Sequence, residues 1–445
     1  MSKVEGREAG GAPPAGWLAF VRTDVGEGAQ LFLWSTQKFK TTTVRVLLRR
    51  PLGEGTSAGA LLPMILQRGT RRLPETMLLA RRLDMLYGAE LRADVMKFGE
   101  EQVSIFHLEV AHRAYVDGED PLPEAMGILA DVLTDPPLPG GGLREDWLAQ
   151  ERDNLRRRIL GIRSDKAHYA QVRLVEEMCR GELYAIPRLG SLEDLEKPTA
   201  SDLWAHWQSV LREAPIVVYM VGDLRPDVAE EHARRLLERL GRRRVAVPPA
   251  PAVHPAPPEP REVVEREDVA QGKLALGFTA PCRAGDAAYP ALSMLNGVYG
   301  GFSHSRLFQE VRERHSLAYY ATSQVDGLKG LVFVHLGIAP ENRRAAQGLV
   351  LGELDALRRG EARADELRDT LKGMATQIRQ SVDAPGEAIM TDFELRAAGR
   401  PTEPEERIAA LEAVRPEQVA EAAQGLVLDT VYFLDAEEGR GGDAH

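Results

Sequence analysis

One stretch limits what this chain can build more than any other: Val245–Glu262, "VAVPPAPAVHPAPPEPRE", in which seven of the residues are proline. Each proline fixes φ and removes a backbone donor, so neither a helix nor an interior strand can run through the segment. It reads as an extended, semi-rigid linker. The 445-residue chain, too long for one ordinary domain, is thereby divided into residues 1–244, the linker 245–262 and residues 263–445.

The two parts end alike. "LEDLEKPTASDLWAHWQSVLREAPIVVYMVGD" precedes the linker, and "IAALEAVRPEQVAEAAQGLVLDTVYFLDA" lies near the C-terminus. Each has a Leu-Glu pair (Leu195-Glu196, Leu411-Glu412), then an apolar helix-opening position (Leu203, Val419), then a β-rich run with a tyrosine (Tyr219, Tyr432). Thr199 or Ser201 can cap the first helix, and Pro416 suits the first turn of the second. A duplicated α/β unit is the natural reading.

Elsewhere, "TTVRVLLR" and "QVSIFHLEV" alternate like strands, as do "KLALGFTA", "LAYYATSQV" and "GLVFVHLGI" in the second half. Leu148, Leu155, Ile159 and Ile162 recur at helical spacing and predict one long helix over about Leu143–Cys179. "ENRRAAQGLVLGELDALRRG" and "ADELRDTLKGMATQIRQS" predict two more helices. The mixture points to α+β sandwiches, each a mostly antiparallel sheet backed by helices, and away from a Rossmann sheet.

Hydrophobic residues make up 44% and charged residues 28%, globular proportions. A net charge of −11 argues against a general nucleic-acid or anionic-membrane binder. Cys179 and Cys282 fit no zinc spacing and suit burial in a reducing compartment. The first residues lack the apolar core of a signal peptide, and the longest apolar run, "PIVVYMVG", is only strand-sized. The expectation is a soluble cytoplasmic protein.

Several longer segments carry a resemblance. "GALLPMILQRGT", "LDMLYGAELRADVMKFGEEQVSIFHLEV" and "QERDNLRRRILGIRSDKAHYAQVRLVEEM" in the first half, and "YGGFSHSRLFQEVRERHSLAYYATS" in the second, resemble the insulinase/pitrilysin-like peptidases, especially the branch similar to mitochondrial processing peptidase. Members of that family carry an inverted zinc motif, H-x-x-E-H, on a first-half helix and a further glutamate ligand on a later helix. Matching the motifs through Gly69-Thr70 and Glu151-Arg152 puts Ala60 and Met64 at the histidine positions, Pro63 at the base and Arg158 at the third ligand. Alanine offers no lone pair, and a lone thioether is a poor zinc ligand. Proline takes no proton, and arginine stays cationic and repels a divalent ion. The chain is therefore expected to bind no catalytic metal of its own. His107, Glu109 and His112 lie close together in "HLEVAH" but read as hydrogen-bonding residues near a strand end, and Glu151 reads as structural.

In the family, zinc-less chains pair with zinc-bearing ones and supply an arginine and a tyrosine seven residues apart. The matching residues here are Arg312 and Tyr319 in "RERHSLAY", while Tyr320 is expected to face the core. Arginine's rigid fork of donors suits a carbonyl or carboxylate, and a tyrosine hydroxyl can donate to a carbonyl oxygen as charge develops. The resemblance implies a heterodimer with a zinc-bearing insulinase-family subunit (or a homodimer in isolation), a clamshell closing over extended peptides, and zinc held by the partner alone. The alternative is a non-catalytic scaffold subunit of a larger assembly, and a third option is an independent hydrolase with an unfamiliar site. Gly297, Gly300 and Gly301 lack the lysine of a phosphate-binding loop and are expected to form a flexible rim. His304 and Ser305 have no third triad member beside them.

Overall fold

Two sheets, one in each half, share a strand order. The computed structural model describes residues 20–241 and 243–436. In the first half, β1 (Val21–Gly26), β2 (Ala29–Ser35), β3 (Thr41–Pro51), β4 (Glu90–Phe98), β5 (Glu101–Ala111) and β6 (Ile216–Gly222) form a six-stranded sheet in the order β1-β2-β6-β3-β5-β4. In the second half, β7 (Arg261–Glu267), β8 (Gly272–Thr279), β9 (Ala318–Asp326), β10 (Leu331–Ile338) and β11 (Val427–Ala436) form a five-stranded sheet in the order β7-β11-β8-β10-β9. The pairs β2–β6 and β7–β11 are parallel, and the remaining pairings are antiparallel. Hence β2-β6-β3-β5-β4 corresponds in order to β7-β11-β8-β10-β9, with β1 an addition at one edge. The molecule is α+β, two homologous halves each with a mostly antiparallel sheet backed by helices.

The duplicated tyrosines sit at equivalent places. Tyr219 lies on β6 and Tyr432 on β11, and both are fully buried. Every residue of β6 and of β10 is buried, as continuous apolar runs require when a strand is covered on both faces. On the first sheet, alternate β6 residues divide the work: Ile216, Val218 and Met220 face the helices of their own half, while Val217, Tyr219 and Val221 face the other way.

What covers that other face comes from across the chain. Ala388, Ile389 and Phe393, on the second-half helix Pro385–Ala397, pack against Leu47, Phe98 and Tyr219 of the first-half sheet. In the opposite direction, Ala170, Leu174 and Met178, on the first-half helix Lys166–Met178, pack against Ala275, Phe333 and Tyr432 of the second-half sheet. Burying each large apolar side chain in such a seam stabilises by roughly 1.5–3 kcal/mol. Each buried tyrosine also bonds a carboxylate there: the Tyr219 hydroxyl donates to Asp392 (2.8 Å) and that of Tyr432 to Glu265 (2.9 Å). An arginine closes each set, Arg396 on Asp392 and Arg173 on Glu265.

The single helix expected over Leu143–Cys179 is two, Glu145–Ser164 and Lys166–Met178. Asp165 breaks it: its backbone leaves the helical region and its carboxylate accepts from the Ala167 and His168 amides. The break turns the second helix toward the other half's sheet. Thr199 caps the helix Ala200–Glu213 in a reciprocal pair with Asp202. The glycine run is not a flexible rim: Gly297–Gly301 is a wide π-type turn with Gly297 and Gly300 buried. A Cβ on Gly300 would stand 2.6 Å from the Ser323 backbone nitrogen, so close packing demands glycine there.

Candidate functional site: the Met64–Arg158 contact and an open edge strand

The helix Thr56–Leu66 is buried along its whole length, with Pro63 in its interior. Proline has no N–H, so the Gly59 carbonyl loses its usual helical donor. Ala60 and Met64 lie one turn apart on this helix and are 2% and 9% exposed. Arg158, on the helix Glu145–Ser164, reaches Met64: its Nη1 donates to the thioether sulfur at 3.7 Å, and its Nη2 pairs with Asp94 of β4 at 3.2 Å. One turn away Arg68 pairs with Glu151 (3.2 Å) and lies over the Trp147 ring. The structure thus brings Met64 and Arg158 together, the Arg158 guanidinium lying between the Met64 sulfur and Asp94. A catalytic zinc needs imidazole, thiolate or carboxylate donors converging on one point. Methyl, pyrrolidine, thioether and guanidinium do not fit it.

His107, Glu109 and His112 do not assemble into a metal site. The Arg45 Nε donates to His107 Nδ1 at 3.3 Å, while His112 bonds the Asp223 carbonyl and accepts from the Ala114 amide. His304 stacks on Phe302 and contacts Thr370, and the Ser305 hydroxyl is buried with no partner among the described residues, so the two form no nucleophile–base pair.

Arg312 lies in a π-type turn, Leu307–Arg314, with its guanidinium over the Phe308 ring (4.6 Å) and partly exposed. A backbone bond from Leu317 to Val311 (2.9 Å) folds the chain back at once into β9. Tyr319 follows there, 59% exposed, and its hydroxyl has no partner among the described residues. Tyr320 is half-buried and packs over Gly337 of β10. β9 is one edge of the second sheet, as β4 is one edge of the first. The β4 edge is capped by side chains: Gln67 accepts from the Ala93 amide and Arg188 donates to the Val95 carbonyl, both at 3.0 Å. No side chain among the described residues caps β9 in this way.

A buried ionic cluster, not foreseen from sequence, ties the linker to both halves. His254, within the proline-rich stretch, bonds Glu182 and Asp429. Lys329, fully buried, bonds Glu100 (2.5 Å), Glu182 (2.5 Å) and the Ala252 carbonyl (2.8 Å). Burial would lower the His254 pKa, but hydrogen bonds with Asp429, Cys179 and Glu182 outweigh it and lift it to about 10. Cys179, Glu182 and His254 offer donor atoms within 4.8 Å of one another. Both imidazole nitrogens are already committed to carboxylates and the Lys329 ammonium sits on Glu182, so ions of the protein's own occupy the cluster.

The fold is two like sheets with exchanged covering helices, and among the described residues no set of metal donors converges at Ala60, Pro63, Met64 and Arg158. The profile described as "Peptidase M16 inactive domain" matches residues 197–374. A Bacillus subtilis (strain 168) protein named "Probable inactive metalloprotease YmfF" is 33% identical over 414 residues, covering 93% of this chain and 97% of its own. Among solved structures, a conserved protein from Enterococcus faecalis V583 is similar with a TM-score of 0.89 and 28% identity, over 95% of this chain and 99% of that one. The peptidase M16 inactive domain of Pseudomonas fluorescens shares the fold at TM-score 0.76 and 18% identity, over 95% of this chain and all (100%) of that one. The chain belongs to the peptidase M16, insulinase-like family. No helix among the described residues is long and apolar enough to cross a membrane.

Proposed function

We propose that this chain is the substrate-holding subunit of a heterodimeric metallopeptidase, positioning extended peptides for a partner subunit that carries H-x-x-E-H and the zinc. The observation that carries the proposal is Tyr319: a large aromatic on an uncapped edge strand, its hydroxyl unpartnered, with Arg312 exposed just before the strand begins. An extended peptide can add to the β9 edge through main-chain bonds. Arg312 then grips a carbonyl or carboxylate, and the Tyr319 hydroxyl donates to the carbonyl under attack. The partner brings metal, water and base, and the two chains close as a clamshell. We take residues 1–244 and 263–445 as the two domains and 245–262 as their connection. A cytoplasmic setting accords with two buried, unpaired cysteines.

The test is coexpression with an H-x-x-E-H partner and a peptide-cleavage assay. Tyr319→Phe should lower kcat by on the order of 10²–10³, the usual effect of losing one such donor, and Arg312→Ala should raise KM. A stable complex whose cleavage is untouched by both substitutions would instead identify a scaffold subunit.

A further inference from the structure

Where the two halves meet, a cavity of about 950 Å³ opens between them. That volume lies at the upper end of the range of small-ligand sites. Its walls include apolar side chains from both halves, Phe98 and Phe333 among them. Six charged groups line it: Lys97, Asp326 and Arg400 are bonded to other groups of the protein and Glu406 is exposed, which leaves Arg407 on the helix Pro404–Glu412 and Glu394 on the helix Pro385–Ala397, two groups of opposite sign. Each feels the other's charge, yet neither side chain forms an ion pair or hydrogen bond among the described residues. Arg407 is partly buried, which lowers its pKa; Glu394 is exposed, its pKa raised by the protein mass around it.

A third polar group is left over. His335 of β10 lines the same cavity and is 5% exposed, and its ring has no hydrogen-bond partner among the described residues. Burial holds it neutral, with a pKa near about 4, so it offers a hydrogen bond and no charge. Leaving this buried imidazole unmatched costs about 1–3 kcal/mol. An unpaired cation, an unpaired carboxylate and an idle imidazole around one half-apolar space complement a ligand with a charge at each end and an apolar body.

We propose that this cavity binds a short zwitterionic peptide, its C-terminal carboxylate on Arg407, its terminal ammonium at Glu394 and its side chains against Phe98 and Phe333. The site is separate from Arg312 and Tyr319 and does not depend on a zinc-bearing partner.

Calorimetric titration of the full chain with the tripeptide Ala-Leu-Phe tests this, beside the same peptide amidated at its C-terminus and the same peptide acetylated at its N-terminus. The free peptide should bind saturably, and each blocked form about tenfold more weakly, the scale of one charge-assisted hydrogen bond. Arg407→Gln should weaken the free peptide equally but add no further loss for the amide, and Glu394→Gln should do the same for the acetylated form. Should Arg407→Gln melt early, Arg407→Lys keeps the charge and should retain part of the affinity. No saturable binding at millimolar peptide, equal binding of all three forms, or acetate competing as well as the peptide would each overturn the proposal.

Discussion

The Arg158 guanidinium lies 3.7 Å from the Met64 sulfur and pairs with Asp94 on its other side. At the positions that the family resemblance matches to zinc ligands, the cation present is the protein's own guanidinium. Replacing Ala60 and Met64 by histidine together with Arg158→Glu should create an equivalent of bound zinc, read by native mass spectrometry. Leaving Arg158 in place should abolish that gain, because a fixed guanidinium repels the ion.

The two buried tyrosines make a second test. Tyr219→Phe and Tyr432→Phe each remove a donor from a seam carboxylate, and each should cost about 1–3 kcal/mol in urea unfolding. The pairs share no partner, so the two costs should add to within about 0.5 kcal/mol.

Lys329 is fully buried between Glu100 and Glu182. Lys329→Ala leaves Glu100 without its cation and Glu182 with His254 alone, and should destabilise by about 3–5 kcal/mol. Arg22→Ala, breaking an exposed pair with Asp24, should change stability by less than about 0.5 kcal/mol.

The same cluster has a pH signature. The folded pKa of His254 is about 10 against an ordinary 6.5, so its stabilisation is complete below the lower value and is lost as pH rises toward the upper one. Melting temperature should therefore decline between those limits, and His254→Gln should flatten that part of the profile while lowering its acid end.

Much of this was legible in the sequence where a local rule governs. β3, β5, β8, β9 and β10 declare themselves by alternation or by short apolar runs, and the Tyr219 and Tyr432 segments mark β6 and β11 as counterparts. Ala60, Pro63, Met64 and Arg158 enter through the family resemblance, and their side chains carry no set of zinc donors. What escaped depends on partners distant in the chain. Apolar spacing runs straight through Asp165, so periodicity gives no hint that its carboxylate caps a new helix. The role of Gly300 is set by Ser323, and that of His254 by Glu182 and Asp429; proline-rich surroundings make that histidine look like spacer. Arg407, Glu394 and His335 are ordinary on their own elements and meet only at the seam.

The exchange of Lys166–Met178 and Pro385–Ala397 bears on how the molecule could ever be taken apart. A protease cutting within Val245–Glu262 would not liberate two free-standing pieces. Each fragment would leave its own sheet bare on one side and carry off the cover of the other, so the nicked product should travel as one particle. Though built on a doubled plan, the protein must be made whole.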